Sequence, residues 1–288
     1  MRVAFATCSL VPDGWPDDHE AASLLSADFQ SWDDPGVDWN RYDRVVLRSV
    51  FTYQHRLDAF LTWCHAIGPE RLRNAPELAA FNADKRYLSK LAAPSIPTMF
   101  VGADDPLPEL CGEVVVKPNV SAGARNTGRF SPATHREASA LIDRIRESGR
   151  VALVQPYMSS VDTAGESAFV FFGGRLSHVL RKRAVLRPDE VAPVAREGFA
   201  RELGVARAML DDNLVFAGKA SAAEHALAEK VFAEVAEKFG MPLFLRVDLV
   251  LDPIDTPILM EIEAIDPLFY FAMAPGTSAR FAAAVRAS

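Results

Sequence analysis

Short apolar runs alternate along this chain with stretches whose apolar positions recur every three or four residues. RVAFAT (2–7) and RVVLRS (44–49) are apolar and rich in β-branched side chains, which predicts buried strands. HEAASLLSA between them has a helical pattern, and HRLDAFLTWCHAI after the second run has apolar residues at helical spacing. This alternation predicts a small parallel sheet in an N-terminal domain.

The middle of the chain has a similar mixture of strand and helix patterns. PELAAFNADKRYLSKLA (76–92) predicts a helix with proline at its first position. Strands are predicted at IPTMFV, EVVVKP (113–118) and VALVQPY (151–157), and THREASALIDRIRESG predicts an amphipathic helix that ends in glycine. The loop NVSAGARNTG, which is rich in small residues, follows the second of these strands.

The last third begins with a hairpin pattern. Two β-rich runs flank Gly173-Gly174, and an irregular stretch from about 183 to 219 follows. A long insert of this kind is usually a functional loop or lid. HALAEKVFAEVAEKFG (225–240) predicts a helix, LFLRVDLVL and PILMEIEAI predict strands joined by DPIDTP, and TSARFAAAVRA predicts a C-terminal helix.

The two strands around DPIDTP carry charged residues on one face. Side chains alternate with a period of two, so Arg246 and Asp248 share a face of one strand, and Glu261 and Glu263 share a face of the other. Symmetric pairing about the turn places Asp248 opposite Glu261 and Arg246 opposite Glu263. The alternate positions are expected to face the core: Leu245, Val247, Leu249, Ile258, Met260 and Ile262.

This acidic face needs a compensating positive charge. Directly opposed carboxylates lie ~5 Å apart and repel by roughly 3 kcal/mol at an effective dielectric constant of 20. A hard divalent cation such as Mg²⁺ suits such a set, because it prefers oxygen ligands. The alternative is a face that is solvated, or paired with Lys or Arg from elsewhere in the chain.

Composition and charge narrow the possible partners. The chain has 288 residues, of which 49% are hydrophobic, and a net charge of -7. No apolar run approaches the ~18 residues that span a bilayer, and the N-terminal run is too short for a secretory signal. We therefore expect a cytoplasmic protein that binds neither nucleic acid nor membrane.

Lysines and small residues mark a candidate phosphate site. Lys117 ends the strand EVVVKP and directs a cation beyond it, and backbone N–H groups of the small-residue loop from Ser121 to Ala124 can approach phosphate oxygens closely. The alternative for Lys117 is an ordinary surface lysine. Lys85 lies in a predicted helix and Lys182 in a run of three cations, so both are expected to be exposed unless they hold phosphates.

A strand-to-loop transition marks a candidate base site. In VQPYMSSVDTAGES, a strand ends beside Tyr157 and Met158. Backbone groups and apolar side chains at such an end can bind a flat purine. Asp162 or Glu166 can then accept hydrogen bonds from ribose hydroxyls, although each acid alone is typical of an ordinary surface.

The order of these parts resembles the ATP-grasp superfamily over nearly the whole chain. The most specific matches are VVVKPNVSAGAR, LVQPYM followed by GES, and LRVDLV followed by LMEIEAIDP. LRSVFTYQHRLDAFLTWC, FNADKRYL and SAGARNTGRF resemble a bacterial subgroup, called glutathione-synthetase-ATP-binding-domain-like, that includes the ligase closing the cycloserine ring.

The resemblance implies a fold and a division of the chain. The fold is α/β (α+β), with a small parallel-sheet N-terminal domain and two α+β subdomains that grip ATP between antiparallel sheets. The implied divisions are a substrate domain at 1–84, a lid subdomain at 85–157 and a C-terminal subdomain with the metal site at 158–288.

The resemblance also implies a role for individual residues. The ATP-binding positions are Lys85, Lys117, Ser121, Ala122, Gly123, Gln155, Pro156, Tyr157, Met158, Asp162, Glu166 and Lys182. In this set the lysines contact phosphates, the small-residue loop covers them, residues 155–158 hold adenine and the acids hold ribose. The Mg²⁺ ligands are Asp248, Glu261 and Glu263. Arg246 steadies the transferring phosphoryl group, and the catalytic set is Arg246, Lys117 and Ser121. The implied cofactors are ATP and Mg²⁺, two ions being expected and Mn²⁺ being an alternative.

Two departures from the family pattern leave alternatives open. Relatives often have Asn where Glu263 stands, so Glu263 either binds the metal or holds Arg246 in place. The subgroup commonly has R-S-T-W-D-Y where this chain has RSVFTY (48–53), so the ring-closing activity does not carry over. Arg48, at a strand end, either anchors a substrate carboxylate through bidentate contacts or forms an internal salt bridge.

These features together predict an ATP-dependent carboxylate–amine ligase that acts through an acyl phosphate on a small amino-acid-like substrate. Its expected partners are a small-molecule carboxylate and an amine, and a homodimer is the expected assembly. The alternatives are an intramolecular cyclo-ligase and an ATP-binding module without chemistry. A metallohydrolase is disfavoured because no histidine neighbours the acids in the sequence.

Overall fold

A four-stranded parallel sheet opens the chain. The computed structural model describes residues 1–288 except for the side chain of Phe199. The strands, in the spatial order β2-β1-β3-β4, are β1 (Val3–Thr7), β2 (Asp28–Ser31), β3 (Arg44–Leu47) and β4 (Leu72–Arg73). The helices here are α1 (His19–Leu25), α2 (Leu57–Ile67) and α3 (Pro76–Ala83). The predicted strands and helices are confirmed; β2 was missed because DFQS is a partly exposed edge strand with little apolar pattern.

The helix predicted over 76–92 ends early, at Ala83. Asp84 starts a separate 3-10 turn over Lys85–Lys90, because its side chain accepts a hydrogen bond from the backbone N–H of Arg86 at 2.9 Å. The backbone N–H of Lys85 donates to Asn119 O at 2.8 Å. Lys85 is therefore held beside the small-residue loop and not on an exposed helical face.

The second sheet is antiparallel. It contains β5 (Met99–Val101), β6 (Val114–Pro118), β7 (Gly128–Phe130) and β8 (Ala152–Pro156), as predicted for the first, second and fourth of these. The amphipathic helix α4 (His135–Glu147) packs on it through Leu141, Ile142 and Ile145, which bury a core of valines from the strands.

The third sheet begins with the predicted hairpin and is interrupted by the insert. A short helix, α5 (Ser160–Thr163), precedes β9 (Glu166–Phe172) and β10 (Arg175–Lys182). The insert that follows contains β11 (Glu190–Val191), α6 (Gly198–Glu202) and β12 (Val215–Ala217). β11 pairs with β7 and β12 pairs with β10, so the insert connects the two antiparallel sheets.

The chain closes with α7 (Ala222–Phe239), β13 (Phe244–Leu251), β14 (Pro257–Glu263) and α8 (Thr277–Ala287). The third sheet has the order β12-β10-β9-β13-β14. α7 starts with a capping box in which Ser221 and Glu224 each bond the other's backbone N–H, and it covers one face of β13 and β14. The small parallel sheet and two antiparallel sheets confirm the predicted α/β fold class. The domain limits 1–84, 85–157 and 158–288 remain a proposal. No helix among the described residues has the length and apolar character needed to cross a membrane.

The predicted register of β13 and β14 is correct at their charged end. Arg246 pairs with Glu263 and Asp248 with Glu261. A bulge then shifts the pairing, so that Leu249 lies opposite Leu259. The prediction that Met260 faces the core is wrong for this reason: Leu259 takes the core position, with no exposed surface, and Met260 faces the site described next.

Candidate active site

A cavity of about 290 Å³ lies where the three sheets meet. Most of the residues implied by the family resemblance line it, and so do residues from the insert. The predicted residues that line it are Lys85, Lys117, Ser121, Ala122, Gly123, Gln155, Pro156, Tyr157, Met158, Glu166, Lys182, Arg246, Glu261 and Glu263.

Three carboxylates converge at the charged end of the hairpin. One oxygen from each of Asp248, Glu261 and Glu263 lies within 4.8 Å of one oxygen from each of the others. Asp248 is fully buried, whereas the two glutamates border the cavity. A set of hard oxygen donors this close together fits Mg²⁺ in both chemistry and spacing.

The same carboxylates are paired with cations of the chain. Lys182 Nζ lies 2.9 Å from Glu166 Oε2 and 3.0 Å from Asp248 Oδ2. Arg246 donates two hydrogen bonds to Asp248, at 2.9 and 2.8 Å, and one to Glu263. The charged groups therefore neutralise one another in pairs, as the solvation cost of buried ions requires.

Electrostatics separate the two glutamates. Burial acts to raise the pKa of Glu261, but the charges of Lys85, at 3.2 Å, and Lys117 outweigh it and hold the pKa well below its usual range. Burial raises the pKa of Glu263 to about 8, with Asp248 and Glu261 adding to the effect and Arg246 opposing it. Glu261 is thus the more strongly ionised of the two.

Lys117 differs from the other cations of the cavity. It is only 6% exposed, and none of the described residues offers it a hydrogen bond or an ion pair closer than 4.0 Å. Burial lowers the pKa of Lys117, partly offset by the charge of Glu261. A buried ammonium without a partner is costly, and an anionic ligand would remove that cost.

The small-residue loop is attached to the insert. The backbone N–H of Ala206 donates to Gly123 O at 2.8 Å, and Lys85 Nζ donates to Ser121 O at 3.3 Å. Gly123 has φ +61°, and a Cβ there would lie 3.1 Å from the side chain of Val205. The loop and the insert therefore form one cover over the cavity.

The opposite end of the cavity is apolar. Its walls are buried and half-buried side chains of one cluster: Ile96, Tyr157, Met158, Val161, Val250 and Met260. Gln155 is 2% exposed and its side-chain amide donates to Thr98 Oγ1 at 2.8 Å. Gln155 therefore offers the cavity only its backbone. Sequence patterns missed Ile96 and Val250 here, since both occupy ordinary strand or loop positions.

Asp162 does not lie in the cavity. It is exposed, and its Oδ1 accepts hydrogen bonds from Tyr157 Oη at 2.7 Å and Arg129 Nη1 at 3.1 Å. The structure therefore does not bring Asp162 together with the other predicted ATP-binding residues, because its carboxylate is engaged outside the lining. Glu166 lines the cavity and keeps that candidate role.

Arg48 forms the internal salt bridge that the sequence left open. Its side chain and that of Asp18 are each 1% exposed and 2.7 Å apart. Arg48 also donates to Pro267 O at 3.1 Å, and its guanidinium lies 3.8 Å from the centre of the Phe269 ring. Arg48 is not part of the cavity lining, so the structure favours the internal salt bridge over the substrate anchor.

Sequence patterns also missed residues at the end of the cavity nearest the N-terminal sheet. Tyr53, Asp266 and Tyr270 line it, together with the aromatic side chains of Trp15 and Phe51. Asp266 belongs to the sequence IDP, three residues after Glu263. Its position near the paired acids was the one available signal, but the spacing did not distinguish it from an ordinary loop residue.

Comparison with known proteins supports one family. Residues 3–74 match the N-terminal domain family of D-cycloserine synthetase DcsG. The cycloserine biosynthesis protein DcsG of Streptomyces lavendulae is 31% identical over 279 residues, which cover 91% of this chain and 88% of DcsG.

Solved structures agree with the sequence match. The crystal structure of D-cycloserine synthetase DcsG superposes with a TM-score of 0.83 and 27% identity, over 99% of this chain and 98% of DcsG. D-alanine–D-alanine ligase from Bacillus anthracis, complexed with ATP, shares the fold, with a TM-score of 0.61 and 12% identity over 100% of this chain and 96% of the ligase. The chain therefore belongs to the ATP-grasp superfamily of ATP-dependent ligases, in the family of DcsG.

Proposed function

We propose that this ligase uses ATP and Mg²⁺ to join a small carboxylate substrate to an amine through an acyl phosphate, releasing ADP and phosphate. The observation that carries the proposal is that the unpaired Lys117 lines one cavity with Glu261 and Glu263, which form a carboxylate cluster with the buried Asp248. A phosphate chain and a divalent cation together complement these two groups of charges.

The apolar end of the cavity suits the adenine of ATP. Met158, Val250 and Met260 offer flat apolar contacts, and the backbone of residues 155–158 runs along one side. Glu166 lies next to this slot and is the candidate partner of the ribose hydroxyls. A ligase that shares the fold has been solved in complex with ATP.

The phosphates would lie between the lysines and the small-residue loop. Lys85 and Lys182 are held by acids that also form the candidate metal site. A cation bound at those acids would release both lysines towards the phosphates. Nucleotide and metal are therefore expected to bind cooperatively.

Asp248, Glu261 and Glu263 are the residues that would hold Mg²⁺. The ion would supply charge neutralisation on the phosphates as the phosphoryl group leaves ADP. Glu263 also holds Arg246, so both roles considered for it are compatible with its position.

Chemistry on the substrate would depend on positioning. A carboxylate resists attack by an amine because oxide is a poor leaving group, and phosphorylation replaces it with phosphate. Arg246, fixed by Asp248 and Glu263, would stabilise the negative charge of the transferring group and of the tetrahedral intermediate. The loop and insert would keep water from the acyl phosphate.

A second candidate is intramolecular ring closure. It is favoured by the 31% identity with DcsG and by the match of residues 3–74 to the N-terminal domain of D-cycloserine synthetase. The same site would phosphorylate a carboxylate, and an amine of the same molecule would then displace phosphate.

A single assay tests the proposal. Purified protein, ATP and Mg²⁺ are incubated with amino acids and related acids, with and without amine acceptors; ADP is measured, and hydroxylamine is added to trap an acyl phosphate as a hydroxamate. ADP release that EDTA abolishes, with hydroxamate, supports the ligase. Mass spectrometry separates a coupled product, made from two substrates, from a cyclised one. Binding of ATP and Mg²⁺ with no ADP across the panel would favour a module without chemistry.

A further inference from the structure

Asp266 is the acid of the cavity without a partner. Every other carboxylate of the lining is paired with a lysine or an arginine. Among the described residues, none provides Asp266 with an ion pair within 4.0 Å or with a hydrogen bond from a side chain; the one hydrogen bond to its carboxylate comes from its own backbone amide. Asp266 lines the cavity and is only partly exposed.

The cations nearest to Asp266 are already engaged. Its electrostatic environment includes Lys85, Arg48 and Arg246. Lys85 pairs with Glu261, Arg48 with Asp18, and Arg246 with Asp248 and Glu263. The charge of Asp266 therefore remains available to a ligand.

The loop that carries Asp266 is held on several sides. Arg48 Nη2 donates to Pro267 O at 3.1 Å, and Arg246 Nη1 donates to Leu268 O at 3.2 Å. His178 Nε2 lies 2.8 Å from Phe269 O. These contacts fix the backbone on the carboxyl side of Asp266, so the loop cannot easily swing the carboxylate into solvent.

The surroundings of Asp266 make an unpaired carboxylate costly. Burial raises the pKa of Asp266 to about 6, against the lowering effect of Lys85, Arg48 and Arg246. Burial raises the pKa of the Tyr53 phenol, and the charge of Asp266 raises it further. A cationic group placed here would gain a strong interaction because little water competes for it.

Asp266 and Lys117 are carried by different sheets of the cavity wall. Lys117 lies in β6 of the second sheet, just before the small-residue loop. Asp266 follows β14 of the third sheet, on the loop whose Pro267 O accepts a hydrogen bond from Arg48. One unpaired cation and one unpaired anion thus line the same cavity from two elements.

We propose that Asp266 is a substrate-binding residue that pairs with an ammonium group of the carboxylate substrate. The inference rests on the proposed ligase function and names the residue that would select a substrate with an amine. Tyr53, which lines the same cavity, would lie near this subsite. Arg246 at the neighbouring position would face the substrate carboxylate.

The test compares α-amino acids of both configurations with the hydroxy acids of the same carbon skeleton, such as serine with glycerate and alanine with lactate. Each is assayed with ATP, Mg²⁺ and hydroxylamine in the wild type and in Asp266→Asn. We expect the wild type to prefer the amino acid. We expect KM for it to rise at least about 30-fold in Asp266→Asn, since a desolvated charge pair is lost. KM for ATP should stay within about twofold.

Three outcomes would overturn the inference. The first is a wild-type preference for hydroxy acids, and the second is an equal effect of Asp266→Asn on both classes. The third is a higher Mg²⁺ requirement in Asp266→Asn with unchanged KM for the acid, which would make Asp266 a metal-site residue. No ADP with any acid would instead refute the ligase proposal, so the two failures are distinguishable.

Discussion

Arg246 and Glu263 face each other across β13 and β14 and form an ion pair at the centre of the site. The same arginine binds both oxygens of Asp248, two residues away on its own strand. One guanidinium thus fixes two candidate metal ligands and is itself fixed by them. Loss of any member is expected to disturb the other two.

Removal of two candidate ligands should abolish metal-dependent turnover. In Asp248→Asn with Glu261→Gln, amides replace the carboxylates that would hold Mg²⁺, so ADP release at a fixed Mg²⁺ concentration should fall at least about 100-fold. ADP release is measured across a Mg²⁺ titration. Glu237→Gln, on the exposed face of α7, is the matched control and should behave as the wild type. Unaltered Mg²⁺-dependent turnover in the double variant would refute the metal assignment.

Lys117→Met should make the protein more stable and less able to bind ATP. The substitution removes a buried ammonium that has no partner among the described residues and keeps an apolar chain of similar length. We expect the melting temperature without ligand to rise by about 2–4 °C and KM for ATP to rise at least about tenfold. Thermal unfolding and ATP titrations check both changes. A lower melting temperature with normal KM would mean that Lys117 is structural.

Asp18→Asn should destabilise the fold without changing substrate binding. It leaves the buried charge of Arg48 without its counter-ion, and breaking such a pair costs about 3–5 kcal/mol of the free energy of unfolding. Urea unfolding measures this cost. Lys238→Ala, which removes the exposed lysine of an i,i+4 pair with Glu234 on α7, is the control and should cost less than about 1 kcal/mol. An altered KM for the acid substrate in Asp18→Asn, with stability unchanged, would restore a binding role to Arg48.

Asp266→Asn should stabilise the ligand-free protein in a pH-dependent way. The pKa of Asp266 is about 6 in the folded state, above that of an unfolded aspartate, so the folded state binds more protons between about pH 4 and 6. The contribution of Asp266 to the free energy of unfolding is therefore fully present below about pH 4. It is lost as pH rises through 6, where the buried carboxyl must ionise. The variant's advantage in free energy of unfolding should grow over that range, to about 1–3 kcal/mol, and then stay constant. Urea unfolding at pH 4.5, 5.5, 6.5 and 7.5 tests this; a difference independent of pH would contradict it.

Local patterns predicted the charged end of the hairpin and missed what depends on distant contacts. The alternation of side chains and a short turn were sufficient to pair Asp248 with Glu261. The bulge that turns Met260 into the cavity could not be predicted, because the alternation is regular in the sequence and the shift arises where β14 packs against other elements. The break at Asp84 had a local signal in its capping side chain, which the helical pattern around it outweighed.

Roles that rest on long-range pairing were the least accessible from the sequence. The partners of Arg48 are Asp18 and Pro267, which lie 30 and 219 residues away along the chain. The position of Asp266 likewise becomes meaningful only once the neighbouring cations are seen to be paired. Family resemblance selected residues most of which line one cavity, and their roles towards ATP remain a prediction. It gave no guide to the end of the cavity where this chain departs from the family pattern.

The contacts between the N-terminal domain and the loop after β14 limit which segments can be exchanged between related ligases. Arg48 binds Pro267 O, and Asp17 Oδ1 accepts a hydrogen bond from the backbone N–H of Phe271 at 2.8 Å. A chimera that replaces the N-terminal domain alone would remove both contacts and release the segment that presents Asp266. To transfer substrate specificity from one relative to another, residues 13–54 and 264–271 would thus have to be exchanged together. Natural recombination between relatives would likewise retain specificity only where both segments come from the same parent.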